Sequence, residues 1–340
     1  MSSMSSDPAD PTASLPDARA RDAVRWAVSC AGGGPFATAV ASADASFRRY
    51  FRISSASGTW IVMDAPPEHE DNDAFVHVAG LMRDAGLRVP EIHAADLDRG
   101  FLLISDLGTR TYLQAMNEDN AADYFGRAGE ALIRWQGATR PGTLPEYDRA
   151  LLLRETGLFA EWFLGRHLGV ILTDDERAAL NAVEDLLADR ALAQGRVYVH
   201  RDYMPRNLMD GADAPGIIDF QDAVIGPVSY DAVSLYRDAF VSWPPGLVAD
   251  GLGQLHERAC AAGLPVPAAR GDFLADCDWM GLQRHLKVLG IFARLTLRDG
   301  KPRYLADTPR FIDYVMQVVP RYPELAPLRA IFERHVLSRA

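Results

Sequence analysis

Hydrophobic positions change period twice along this chain. From Asp17 the apolar residues Ala20, Val24, Ala27 and Val28 recur at helical spacing and run into Gly32-Gly33-Gly34-Pro35. A glycine run followed by proline stops a helix, so one helix is expected here. The period then drops to two. Residues 36–41, 47–53 and 59–63 read as strands, parted by Asp44-Ala45-Ser46 and Ser57-Gly58. A helix over about 73–84 closes at Gly86, and 91–95 and 101–105 read as two further strands. After Gly108 long helical periods take over, at roughly 119–139, 148–168, 174–193, 229–240, 248–262, 270–298 and 309–319. One strand–loop–strand insert interrupts them, from 197–199 to 217–220.

This order predicts a disordered tail over 1–16, rich in Ser, Asp, Pro and Ala. It predicts a small β-rich lobe over 17–106 and a larger, mainly helical lobe over 107–340. An antiparallel sheet with a helix, joined by one crossover to a helical lobe, is an α+β, protein-kinase-like two-lobe architecture. Architecture alone does not assign chemistry.

Composition narrows the classes. A chain of 340 residues with 48% hydrophobic and 24% charged residues is globular in make-up, which excludes a collagen-like or disordered protein. The net charge of −11 argues against a nucleic-acid partner, since phosphate neutralisation needs a basic field. Cys30, Cys260 and Cys277 are isolated and suggest neither a disulfide framework nor a zinc site. The opening residues lack an apolar core of the signal-peptide kind and no run approaches a membrane span. A cytoplasmic protein with no membrane partner is expected; the oligomeric state is left open. The cations are lopsided: Lys287 and Lys301 are the only lysines, so none precedes residue 287.

Chemistry concentrates in the insert, VYVHRDYMPRNLMDGADAPGIIDFQDA. Its core is His200-x-Asp202-x4-Asn207, followed by an apolar strand ending in Asp219-Phe220. Phosphoryl transfer needs a carboxylate to orient the acceptor hydroxyl and take its proton, and oxygen ligands to hold Mg²⁺ against ATP phosphates. Asp202 suits the first task; Asn207 and Asp219 suit the second. The alternative is an Asp-Pro-Asn turn beside a hairpin. His200 stays open between a structural part in the loop and a part in its chemistry. Arg201 stays open between an ion pair and a solvated position, and Asp222 between solvated charge and a place near metal or sugar. Asp231, opening a helix, is either an acceptor for backbone N–H groups of the loop or a plain acid at a helix N-terminus, structural in both cases.

With these residues in view, the sequence resembles the aminoglycoside phosphotransferase/choline kinase superfamily over nearly all of the chain beyond the tail. Within it, ASFRRYFRI, IVMDAPPE, HRDYMPRNLM, GIIDFQDAVIGPVSYDAVSL and LQRHLKVLGIFARL resemble the cell-wall-recycling anomeric sugar kinases. The resemblance implies an ATP- and Mg²⁺-dependent enzyme that phosphorylates the C1 hydroxyl of N-acetylmuramate or N-acetylglucosamine, a small amino-sugar substrate. It also implies that the strand 101–105 is a hinge, with adenine read by main-chain groups around Ser105 and Leu107. Rival readings are a kinase of an aminoglycoside, choline-like or homoserine acceptor, and a nucleotide-binding pseudokinase.

One departure from the pattern stands out. Kinase-like proteins carry a lysine on the third strand, where this chain has Trp60-Ile61-Val62-Met63-Asp64, and Ala43-Asp44-Ala45-Ser46-Phe47-Arg48 replaces a glycine-rich turn. By period-two alternation Arg48, Tyr50 and Arg52 share one strand face, with Arg49 opposite, so Arg48 and Arg52 are the candidate phosphate clamp. The bland reading is an exposed polar face. For the sugar, Trp162, Trp243, Trp279, Tyr236 and Phe240 are aromatics able to stack on a pyranose or simply fill core. Arg284, Lys287 and Arg294 at helical spacing are either cations for a carboxylate or a wet helix face.

Overall fold

The structure is a computed structural model, and it describes residues 12, 15–42, 47–211 and 214–338. Most of the tail and the turn at 43–46 lie outside the described residues. Two compact units emerge: residues 1–109 with 216–221, and residues 110–215 with 222–340. The segment 216–221, which the sequence pattern assigns to the helical lobe, is thus part of the first unit.

In the first unit α1 (Ala18–Cys30) starts at Asp17, whose carboxylate accepts the Ala20 N–H at 2.8 Å. It stops where Gly32, Gly33 and Gly34 take positive φ. Five antiparallel strands follow: β1 (Ala37–Ser42), β2 (Arg49–Ser55), β3 (Gly58–Asp64), and then β4 (Ile92–Asp96) and β5 (Phe101–Ser105), in the order β1-β2-β3-β5-β4. Alternation sorts the sheet's faces. Phe51, Ile53, Val62, Phe101 and Leu103 pack with Ala20, Ala23, Val24 and Ala27 of α1. Burying each of these larger side chains contributes roughly 1.5–3 kcal/mol. Leu15, within the expected tail, is 5% exposed and belongs to this core. Tyr50, Arg52, Ile61 and Met63 project from the opposite face.

Between β3 and β4 lies α2 (Asn72–Asp84), capped by Asp71 and tied to the end of β3 by Asn72 Nδ2 donating to Ala65 O at 2.9 Å. The segment 216–221 docks here twice. Ile217 N–H donates to Arg88 O at 2.8 Å, and Phe220 stacks on Phe75 of α2 at 4.9 Å.

The second unit is helical, as its sequence period predicts. A single turn α3 (Tyr112–Ala115) precedes α4 (Ala121–Gly137), α5 (Arg149–Leu158) and α6 (Asp174–Leu192). Next come the short strands β6 (Arg196–Val199) and β7 (Leu208–Met209); β8 (Gly216–Ile217) counts with the first unit, and β9 (Val224–Pro227) returns to pair with β6. Then follow α7 (Tyr230–Tyr236), α8 (Pro245–Ala261), α9 (Arg270–Leu297), α10 (Thr308–Val318) and α11 (Ala326–Ile331). The long α9 runs through the core with Leu282, Leu286, Leu289 and Ala293 buried. Gly290 lets it approach the end of α5, since a Cβ there would lie 2.4 Å from the Leu158 carbonyl carbon. Beyond that contact α5 widens into π-helix over Phe159–His167. No described helix is long and apolar enough to cross a membrane.

Candidate active site

The loop that leaves β6 is held from behind. Asp231, in the first turn of α7 and fully buried, accepts the N–H groups of His200 at 2.6 Å and Arg201 at 3.0 Å. Burial pushes its carboxyl up to about 7, against those two donors. Both bonds require the loop to turn sharply, and Arg201 takes φ +74 to do so. That left-handed backbone costs a residue with a side chain about 1–2 kcal/mol, which two hydrogen bonds to a carboxylate offset. His200 is also buried, and its Nδ1 accepts the Asp202 N–H at 3.3 Å. Its place is that of a scaffold.

Asp202 and Asn207 come together. Asp202 O accepts Met204 N–H at 2.9 Å and Asn207 Nδ2 at 3.0 Å, across the turn Pro205–Asn207. The Asp202 side chain is half-buried and that of Asn207 is 6% exposed. Asp219 is carried by the first unit. It has φ +65, a left-handed conformation of the kind that concentrates at functional segments. Its Oδ1 accepts Gln221 Nε2 at 3.1 Å.

Arg201 resolves into an ion pair. Its guanidinium meets Glu155 of α5, and its Nη1 donates to the Asp222 carbonyl at 3.4 Å. Glu155 also accepts Lys287 Nζ at 3.1 Å and the Tyr147 hydroxyl. Burial raises the Glu155 carboxyl, but Lys287 and Arg201 outweigh it and hold the group below its usual range. Lys287 is therefore no wet-face cation: it is 8% exposed and also donates to Tyr230 Oη at 3.1 Å. Arg284, 2% exposed, lies in the field of Asp231 and Asp238. Arg294 is half-buried. Among the aromatics, Trp279 and Tyr236 are buried, against Tyr322 and Phe125. Trp243 also packs on Phe125, Phe240 lies under Arg206, and Trp162 under Arg166.

In the first unit the three arginines of RRYFR part company. Arg49 pairs with Asp64, its cross-strand neighbour, and with Asp17, on the α1 side of the sheet. Arg52, expected to meet phosphate, instead grips Asp106 bidentately, Nε at 2.6 Å and Nη2 at 2.9 Å, and donates to Gly108 O at 3.0 Å. It braces the segment that follows β5. Arg48 precedes β2 rather than lying within it; its Nη2 sits 3.1 Å from Glu70 and 3.3 Å from Asp71 O, just before α2. Of the two positions expected to read adenine, Ser105 has its N–H committed to Glu91 O at 2.9 Å and its Oγ accepting Glu91 N–H, so it has no main-chain donor to offer. Leu107 O receives Arg88 at 3.3 Å. Glu70 and Glu155 escaped the sequence reading, for no motif flags a single acid whose partner is remote in the chain.

A unit built on a five-stranded antiparallel sheet, and a helical unit bearing His-x-Asp-x4-Asn on a braced loop, define a phosphotransferase of the kinase-like class. Comparison with known proteins agrees. Residues 38–270 match the model of the phosphotransferase enzyme family. A Pseudomonas putida protein named N-acetylmuramate/N-acetylglucosamine kinase is 54% identical over 288 residues, covering 85% of each chain. One of the same name from Neisseria meningitidis is 48% identical over 86% of this chain and 88% of its own. A choline kinase from Streptococcus pneumoniae shares the fold at TM-score 0.59 and 13% identity, over 87% of this chain and 99% of that one. The chain belongs to the phosphotransferase enzyme family.

Proposed function

We propose that this enzyme uses ATP and Mg²⁺ to phosphorylate the anomeric C1 hydroxyl of N-acetylmuramate, N-acetylglucosamine or both, in the cytoplasm. The observation that carries the reading is identity of 48–54% to relatives named for those two sugars, over most of both chains. The braced loop supplies matching chemistry. Asp202 orients the hydroxyl and accepts its proton as the sugar oxygen bonds to the γ-phosphorus and the bond to ADP breaks.

Asn207 and Asp219 are the residues that would hold Mg²⁺. Asn207 spends its Nδ2 on Asp202 O, which orients the side chain by its amide and presents an oxygen donor, and Asp219 offers a carboxylate. Both are hard oxygen donors, and Mg²⁺ takes only one or two such groups from protein. When bound, the ion neutralises phosphate charge. Arg48 stands in for the missing lysine: Glu70 fixes its guanidinium much as an acid on a helix fixes the lysine of other kinases. Arg49 and Arg52 are engaged by other carboxylates. Leu107, whose N–H has no partner among the described residues, is the main-chain reader of adenine.

A coupled ADP-release assay over amino sugars, aminoglycosides and choline tests the substrate. Turnover confined to the two N-acetyl sugars is expected, and turnover with a cationic acceptor alone would overturn it. Asp202→Asn should lower kcat by ~10²–10⁴-fold with the protein folded and still binding ADP.

A further inference from the structure

Behind its loop the second unit sets two cations against a single carboxylate. Glu155, 6% exposed, faces two cations, Arg201 and Lys287, and two tyrosine hydroxyls close the cluster: Tyr147 on Glu155 and Tyr230 on Lys287. Burying an unbalanced charge is expensive. The charge of Asp202 also acts on both Arg201 and Lys287, less strongly than that of Glu155. Residue 201 is also gripped twice, its N–H by Asp231 and its side chain by Glu155. Its backbone is left-handed, so those grips hold a conformation an arginine would otherwise leave. The next residue in the chain is Asp202.

We propose that Glu155 and Lys287 are positioning residues for phosphoryl transfer, acting through the Arg201 side chain to hold the Asp202 carboxylate in place. The proposal rests on the reading above that Asp202 receives the acceptor's proton. It differs from a purely structural role in what each substitution does to kcat and to KM.

Arg201→Gly isolates the side chain. Glycine adopts φ +74 without strain, the two N–H bonds to Asp231 survive, and Glu155 with Lys287 is left as a neutral pair. Glu155→Gln is the harsher variant, since it strands two buried cations and its chain can fail to fold; Arg201→Gly keeps the test open in that event. Steady-state kinetics with ATP and each sugar varied, alongside melting curves, supply the readouts. A small misplacement of a reacting group lowers rate by up to ~10²-fold. Arg201→Gly should therefore melt near wild type and keep both KM values within about twofold, while kcat falls ~10- to 100-fold. Arg201→Lys, which returns a cation to Glu155, should recover part of that loss. A kcat for Arg201→Gly within about twofold of wild type would overturn the proposal, as would a loss that Arg201→Lys leaves untouched. Wild-type turnover on the amino sugars is the control. If it is absent, the functional reading fails and the proposal with it; if it is present while Arg201→Gly is fully active, the proposal alone fails.

Discussion

Replacing Arg48 by alanine probes how a kinase-like lobe without lysine handles phosphate charge. In the structure this guanidinium is 7% exposed and lies 3.1 Å from Glu70, so it is already largely desolvated and anchored. A charge-assisted hydrogen bond to phosphate is worth roughly 1.5–3 kcal/mol. At about 1.4 kcal/mol per tenfold, its loss lowers kcat/KM for ATP by one to two powers of ten. Arg48→Lys keeps the charge and loses the planar fork, so it should fall between. Glu70→Gln should resemble a weaker Arg48→Ala, because the arginine remains but its anchor is neutral. Arg49→Ala is the control from the opposite face of β2. It strips one cation from Asp64, which keeps Arg19 at 2.8 Å, so the expected effect is a lower melting temperature with ATP kinetics little changed. The assay is steady-state ADP release at saturating Mg²⁺ and sugar with ATP varied. The reasoning is refuted if Arg48→Ala stays within twofold of wild type, or if Arg49→Ala has the larger ATP defect.

Further outcomes follow from single sites. Burial lifts the Glu184 carboxyl from 4.5 to about 7, and its Oε1 has no hydrogen-bond partner. The folded protein then keeps a proton that the unfolded chain releases, so stability falls as pH rises from 4.5 to 7. Glu184→Gln should raise the melting temperature at pH 8, by at most about 3 kcal/mol of stability, and not at pH 4.5; equal gains at both would contradict this. Gly290→Ala puts a Cβ against the Leu158 carbonyl and should destabilise by about 1–3 kcal/mol in urea unfolding. Asn207→Ala and Asp219→Ala should each raise the Mg²⁺ concentration needed for half-maximal rate, and unchanged Mg²⁺ titrations would remove both as ligands.

Local signals carried much of the fold. The strand expected at 101–105 is β5 residue for residue, and α1 begins and ends where its Asp17 cap and glycine stop place it. Misreadings arise where a distant partner decides. Residues 217–220 read as strand, yet only Gly216–Ile217 is strand, because Asp219 turns left-handed. The pairing strand Val224–Pro227 is short and ends in Gly-Pro, which hid it. Arg284 and Lys287 have helical spacing and charge, the marks of a wet face, but their acids lie on other elements. The same reason hid Glu70 and Glu155: Asp202 and Asn207 are five positions apart in one loop and legible together, whereas an ion pair across a fold has no spacing to read.

The position of the phosphate on the product tests the central claim most directly. Wild-type enzyme is incubated with ATP, Mg²⁺ and N-acetylglucosamine or N-acetylmuramate, and the product is observed by phosphorus NMR. The account predicts a phosphorus coupled to the anomeric proton and lost on mild acid treatment, since a C1 phosphate is a glycosyl ester. A phosphorus coupled to the C6 protons and stable to that acid would contradict it.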